Sequence, residues 1–422
     1  MDDYRVIGHR RLFGEIQVQG SKNAVLPILS ATILTGKKTM ISNCPRISDV
    51  ENAIQILRDL GAKVTWEKNI LIVDTKSIES YKIDASKTEK MRSSICFLGA
   101  LAGRFHRASI YEPGGCRIGK RPIDMHLAGL RALGCRIEEE EGCIHLECDR
   151  IKGGSVTLPY PSVGATENLM MAAIFAEGPV RIENAAREPE IILLAQFLEI
   201  MGGRVIGAGS RRMTIYPTDG RSKEICIRIP GDRIVAGTYL AMTAGCGGNL
   251  LLKGILPDEL KEVLTILKKM GCIIKLENHS IRIIRKEGQT LLSPKRIITR
   301  PYPGFPTDLQ SLFLVLCTCA QGKTKIEETV FSNRCEAAKE LWKMGAKIDL
   351  YGSQHFQVNP SELKAATVKA KDLRGGAALI FAAMLAKGET KVVDSGYIKR
   401  GYEDLAFDVN HMGGCIQYNK GR

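Results

Sequence analysis

Along the 422-residue chain, apolar residues recur in one pattern six times. An amphipathic stretch ends at a glycine, and residues of alternating polarity follow. The six endings are ILRDLGAKV, LRALGCRI, LEIMGGRV, LKKMGCII, LWKMGAKI and VNHMGGCI, around Gly61, Gly134, Gly202, Gly271, Gly345 and Gly413. Val50, Ala53, Ile54, Leu57 and Leu60 keep an i, i+3, i+4, i+7 spacing, as do Leu260, Val263, Leu264, Leu267 and Met270, and again Tyr402, Leu405, Ala406, Val409 and Met412. That period predicts helices with one buried face, each stopped by a glycine that tolerates a left-handed backbone. The alternation that follows predicts a strand.

A second signal precedes each amphipathic helix. It is a run of small apolar residues ending at a glycine, then a short strand, as in ALAGRFHRASI and MLAKGETKVV. Such runs, for example Ala377 to Leu385, are apolar all round and belong inside a layer of helices. Each unit of ~70 residues therefore reads as two helices and about four strands, an α/β fold built from a large supersecondary repeat. Six units divide into two domains of three. GEIQVQG, near the start, is a strand without its own unit, and it is expected to pair with the second half. The expected boundaries are 22–230 for the first domain and 1–21 plus 231–422 for the second. Two such domains joined by two short crossings predict a hinge with a ligand in the cleft.

Composition narrows the chemistry. Hydrophobic residues are 44% and charged residues 25%, which is ordinary for a globular protein. The net charge of +14 points to an anionic partner or to solubility alone. MDDYRVIGHRRLFG has no apolar core of a signal peptide, and no apolar run is of membrane-spanning length, so a cytoplasmic protein without a membrane partner is expected. Thirteen cysteines without a CxxC pair, and seven histidines without an HxxxH pattern, predict no metal site and mostly buried thiols in a reducing compartment. Aromatic residues are only 6%, which argues against a single-strand nucleic-acid platform.

One unit is longer than its siblings. The stretch from Gly103 to Gly134 exceeds the corresponding interval elsewhere by roughly seven residues, and the excess falls on EPGGCRIGKRP, residues 112–122. It sets Cys116 among Arg117, Lys120 and Arg121. Neighbouring cations favour thiolate over thiol, so this cysteine is either an incidental surface residue or a reactive group near neutral pH. In GSKNAVLP, Lys22 and Asn23 open a helix, where a lysine can help hold a phosphate, although Ser21 could simply be capping it. Asp308 in FPTDLQ stands in a first helical turn, either as a dipole partner or as a general base. Arg92, Arg121, Arg334, Arg374 and Arg400 all lie near helix starts. Cations are electrostatically misplaced there unless an anion sits among them. The pattern suits a small, multiply charged ligand.

GSKNAVLP, PGGCRIGKRPID, SVGATEN, IENAAREPEI, FPTDLQ, ETVFSNR, DLRGGAAL and RGYED, in that order, closely resemble the UDP-N-acetylglucosamine enolpyruvyl transferases of peptidoglycan synthesis, nearly end to end. The resemblance implies two inside-out α/β barrels of three units each. It implies transfer of the enolpyruvyl group of phosphoenolpyruvate to the 3′-hydroxyl of UDP-N-acetylglucosamine, with release of phosphate, by a monomer needing no cofactor. Cys116 would be the mobile-loop proton donor and the thiol alkylated by fosfomycin; Asp308 would be the base on the hydroxyl. Lys22, Arg121 and Arg400 would face the phosphate, Arg334 and Arg374 the carboxylate, with Arg92 on the same substrate. Asn23, Pro122, Ile123, Asp124, Ser162, Val163, Gly164 and Val330 would contact the nucleotide sugar. The chain departs from the family pattern after Arg334, where Cys335, Glu336 and Ala337 stand in place of an aromatic residue and a histidine.

Overall fold

The six glycines that end the amphipathic helices all have positive φ, from 85° at Gly345 to 110° at Gly61. A side chain would be strained there, so glycine at each position lets the chain reverse from helix into strand. The structure, a computed structural model, describes residues 2–114, 122–220 and 224–421.

Each repeat forms one four-stranded sheet. In the second repeat, Lys82–Ile83 pairs in parallel with Arg107–Tyr111. That strand pairs antiparallel with Cys143–Glu147, which forms a hairpin with Arg136–Glu140. The parallel pair needs a crossover, and helix Cys96–Phe105 lies in it. Residues 96–103 of this helix are all buried, as the all-round apolar pattern predicts.

The chain divides into two compact units. Among the described residues, one contains 20–114, 122–220 and 224–230, and the other contains 2–19 and 231–421. In the first unit, helices Lys22–Thr35, Cys96–Phe105 and Val163–Ala173 pack against one another at the centre. In the second, Arg233–Cys246, Gln310–Thr318 and Leu373–Leu385 do the same. Each unit has its own hydrophobic core, with helices at the middle and sheets outside.

Strands distant in sequence complete several sheets. Leu12–Gln17 pairs in parallel with Gly248–Lys253, as expected for the unassigned GEIQVQG strand. Ile225–Arg228 does the same for Lys38–Ser42 in the first repeat, a pairing the repeat pattern did not predict. Asp2–Ile7 was also missed. It fits between Glu389–Asp394 and Ile416–Asn419, antiparallel to both, and completes the sixth sheet. Eight of the twelve described cysteines are buried, in keeping with the expectation of small apolar thiols.

Candidate active site

In the second unit, Asp308 lies in a short 3-10 turn, Thr307–Leu309, that leads into helix Gln310–Thr318. Both of its oxygens are engaged. Arg334 Nη2 donates to Oδ1 at 3.0 Å. Arg374 Nε and Nη2 donate to Oδ2 at 3.3 and 3.2 Å. The two arginine side chains are 4% and 3% exposed, so these are buried cations meeting a carboxylate that is one-quarter exposed. Arg334 comes from the turn before helix Glu336–Lys343. Arg374 is not ahead of its helix but inside the first turn of Leu373–Leu385, which Asp372 caps through Gly375 N. Burial alone would lower the Arg374 pKa. The Asp308 carboxylate, then Tyr402 and Asp232, outweigh that and hold it above the ordinary arginine value.

Further contacts tie this cluster to its surroundings. Arg334 Nη1 donates to Thr307 Oγ1 at 2.7 Å, and its guanidinium stands over the Phe331 ring. Arg334 Nε is buried and has no acceptor among the described residues. A guanidinium donor left unspent in a buried site is costly unless a ligand accepts from it. Val330 lies on the loop that the Glu328 carboxylate holds, its N–H donating to Oε1 at 2.8 Å. Arg400 ends the turn Ile398–Arg400, two residues before Tyr402, whose ring lies 5.7 Å from the Arg374 guanidinium.

In the first unit, Lys22 and Asn23 open helix Lys22–Thr35, and Ser21 caps it by accepting from Ala24 N. Lys22 Nζ pairs with Asp49 Oδ2 at 2.8 Å; Asp49 belongs to the first turn of Ser48–Asp59. Arg92 opens the turn Arg92–Ile95. It donates to Pro113 O at 3.2 Å and to Pro122 O at 3.4 Å, so one guanidinium spans the two flanks of the segment that carries Cys116. Cys116 and Arg121 themselves lie outside the described residues.

The other nucleotide-sugar candidates of this unit lie at two further helix starts. Ile123 and Asp124 begin Asp124–Ala132, just after Pro122. Ser162 caps Val163–Ala173, accepting from Ala165 N. Gly164 faces the His126 ring so closely that a β-carbon there would lie 2.9 Å from its Cε1. His126 in turn meets Asn168 at 2.7 Å, and Asn168 also bonds Ile95 O and Gly99 N, fixing three helices together. The structure thus brings Ser162, Val163 and Gly164 to the helix whose neighbour carries Asp124, and Asp308 together with Arg334 and Arg374. Residue patterning missed Asp49, Thr307, Glu328, His126 and Asn168. Thr307 and Glu328 stand inside motifs already singled out, FPTDLQ and ETVFSNR, and that position was the available signal.

Comparison with known proteins fixes the class. The family model for EPSP synthase (3-phosphoshikimate 1-carboxyvinyltransferase) matches residues 6–408, and the chain belongs to this family of carboxyvinyl transferases. It is most informatively compared with proteins called UDP-N-acetylglucosamine 1-carboxyvinyltransferase. One from Caldanaerobacter subterraneus is 42% identical over 99% of both chains. One from Desulforapulum autotrophicum is 40% identical over 99% of both. One from Symbiobacterium thermophilum is 43% identical over 98% of this chain and 94% of its own. Among solved structures, the enolpyruvyl transferase NikO from Streptomyces tendae matches all of both chains with a TM-score of 0.89 at 20% identity. EPSP synthase from Acinetobacter baumannii matches all of both with a TM-score of 0.73 at 17% identity. These two share the fold, a two-domain α/β enolpyruvyl transferase architecture.

Proposed function

We propose that this chain transfers the enolpyruvyl group of phosphoenolpyruvate to the 3′-hydroxyl of UDP-N-acetylglucosamine and releases phosphate, the first committed step of peptidoglycan synthesis. The observation that carries the reading is the convergence of Arg334 and Arg374 on Asp308, with Arg334 Nε an unspent buried donor. The full-length identity to UDP-N-acetylglucosamine 1-carboxyvinyltransferases supports the choice of acceptor. The SVGATEN and RPID segments, by their resemblance to that family, suit a nucleotide sugar as well.

The chemistry follows from the groups. Asp308 takes the proton from the attacking hydroxyl, and the 3′-oxygen bonds to C2 of the enolpyruvyl group. Cys116 supplies a proton to C3 in that addition. Loss of a proton from C3 and of phosphate from C2 then restores the double bond. Arg334 and Arg374 offer donors to the substrate carboxylate, and Arg92 assists on the same substrate. Lys22, Arg121 and Arg400 serve the leaving phosphate, where positive charge stabilises what develops as the C–O bond breaks. Asn23, Pro122, Ile123, Asp124, Ser162, Val163, Gly164 and Val330 recognise the nucleotide sugar. The same Cys116 thiolate makes the protein a fosfomycin target. We further read it as a monomeric cytoplasmic enzyme of cell-wall growth and division. No helix among the described residues is long and apolar enough to cross a membrane.

The test is phosphate release from phosphoenolpyruvate with and without UDP-N-acetylglucosamine. Release that depends on the nucleotide sugar is expected. Release that depends instead on shikimate 3-phosphate, or no release with either, rejects the assignment.

A further inference from the structure

Glu328 is 1% exposed, and its carboxylate is fully committed within the second unit. Oε1 accepts from the N–H groups of Val330 and Phe331 at 2.8 and 3.0 Å. Oε2 accepts from Thr307 Oγ1 at 2.8 Å. Gln354 closes the same loop from outside, donating to Glu328 O and Phe331 O. Thr307 is the next link, for its oxygen accepts from Arg334 Nη1 at 2.7 Å.

The direction of these bonds is forced. A hydroxyl carries one proton, and a carboxylate can only accept it. With its proton on Glu328, Thr307 has lone pairs left for Arg334, which can only donate. From Arg334 through Thr307 to Glu328 each group donates to the next, while Arg334 donates the other way to Asp308. One carboxylate thereby holds two things at once: the backbone of the Val330 loop and the orientation of the Arg334 guanidinium.

We propose that Glu328 and Thr307 are positioning residues of the transfer reaction, Thr307 orienting Arg334 toward the substrate carboxylate and Glu328 setting both Thr307 and the Val330 loop. The inference rests on the functional reading above and adds two residues to it.

Three variants test the chain. Thr307→Val keeps the shape and removes the hydroxyl, so Arg334 loses one charged hydrogen bond. The KM for phosphoenolpyruvate should rise about tenfold and the thermal midpoint should fall modestly, since Arg334 and Glu328 each lose a buried partner, while the KM for UDP-N-acetylglucosamine stays near wild type. Thr307→Ser keeps the hydroxyl and should restore the wild-type KM. Glu328→Gln keeps one oxygen for the Val330 and Phe331 N–H groups but turns its amide NH₂ toward Thr307, which can then no longer donate to it. It should raise the KM for phosphoenolpyruvate as Thr307→Val does. Wild-type KM values in Thr307→Val, or a Ser variant as impaired as the Val variant, would overturn the relay while leaving the activity standing. A lower thermal midpoint with both KM values raised alike in all three variants would reduce it to a folding role. A wild-type protein that releases no phosphate would overturn the functional reading and, with it, the kinetic role of both residues.

Discussion

Lys22 Nζ lies 2.8 Å from Asp49 Oδ2, and the Asp49 side chain is only 2% exposed. The pair corrects an electrostatic conflict. Lys22 is a cation at a helix N-terminus, where the backbone dipole repels it, and Asp49 is an anion in the first turn of the next helix, where the dipole favours it. Asp49→Asn keeps the shape and deletes the charge. Stability in urea should fall by about 1–3 kcal/mol, the scale of a lost hydrogen bond to a charged group. The KM for phosphoenolpyruvate should rise as Lys22 loses its anchor. An unchanged urea midpoint and unchanged KM would show the pair to be energetically silent.

Asp308 calls for a different substitution. Replacing it with alanine strands two buried guanidinium groups, and removing one partner of a buried pair costs on the order of 3 kcal/mol or more. Asp308→Asn keeps an acceptor for Arg334 or Arg374 and removes only the basic oxygen. Its kcat should fall by about 10²–10⁴, the usual worth of a general base, with nucleotide-sugar affinity little changed. Isothermal titration with UDP-N-acetylglucosamine and a phosphate-release assay separate the two effects. Wild-type turnover in Asp308→Asn would remove this residue from the chemistry.

Cys116→Ala should slow turnover strongly and abolish irreversible inactivation by fosfomycin, because turnover uses the proton of this thiol and alkylation uses its thiolate, which the neighbouring cations favour. Cys116→Ser should resist fosfomycin equally, an alcohol being a far weaker nucleophile at neutral pH. Mass spectrometry of the inhibited wild type should find one adduct, on the peptide containing Cys116. Full-rate, fosfomycin-sensitive Cys116→Ala would defeat the assignment.

The repeat was readable because its signals are local. A stripe at helical spacing, a stopping glycine and an alternating strand each occupy a few neighbouring residues. The strand Asp2–Ile7 was not readable, for three of its six residues are charged and mask the buried Tyr4 and Val6. Those charges are answered from far along the chain, Asp3 by Asn419 and Lys391, and Asp2 by Tyr418. The site divides the same way. Asp308, Arg334 and Arg374 stood out by type and motif. Thr307, Glu328 and Asp49 resemble ordinary polar residues of turns and first helical turns. Their roles depend on partners 21 to 27 residues away, which only the fold brings into reach.

Two buried groups of the first unit give its stability an unusual pH profile. Burial, reinforced by Glu190 and Glu188, pushes the Glu167 carboxyl from 4.5 up to about 8, although the Cys96 thiol donating to it pulls the other way. Burial, and then Arg92, pushes His126 from 6.5 down to about 3. Stability changes with pH as the unfolded chain binds more or fewer protons than the folded one. For His126 the folded form stays neutral while the unfolded form protonates, so stability is lost as pH falls from 6.5 toward 3. For Glu167 the folded form stays protonated while the unfolded form ionises, so stability is lost as pH rises from 4.5 toward 8. Between pH 4.5 and 6.5 the two slopes oppose and cancel, leaving a plateau. Above it, Glu167 alone acts, at a slope of about 1.4 kcal/mol per pH unit. Glu167→Gln keeps an acceptor for Cys96 and cannot ionise. Urea titrations of wild type and variant at a series of pH values should diverge in favour of the variant from pH 4.5 upward. Parallel curves up to pH 8 would mean that Glu167 is not held neutral in the folded protein.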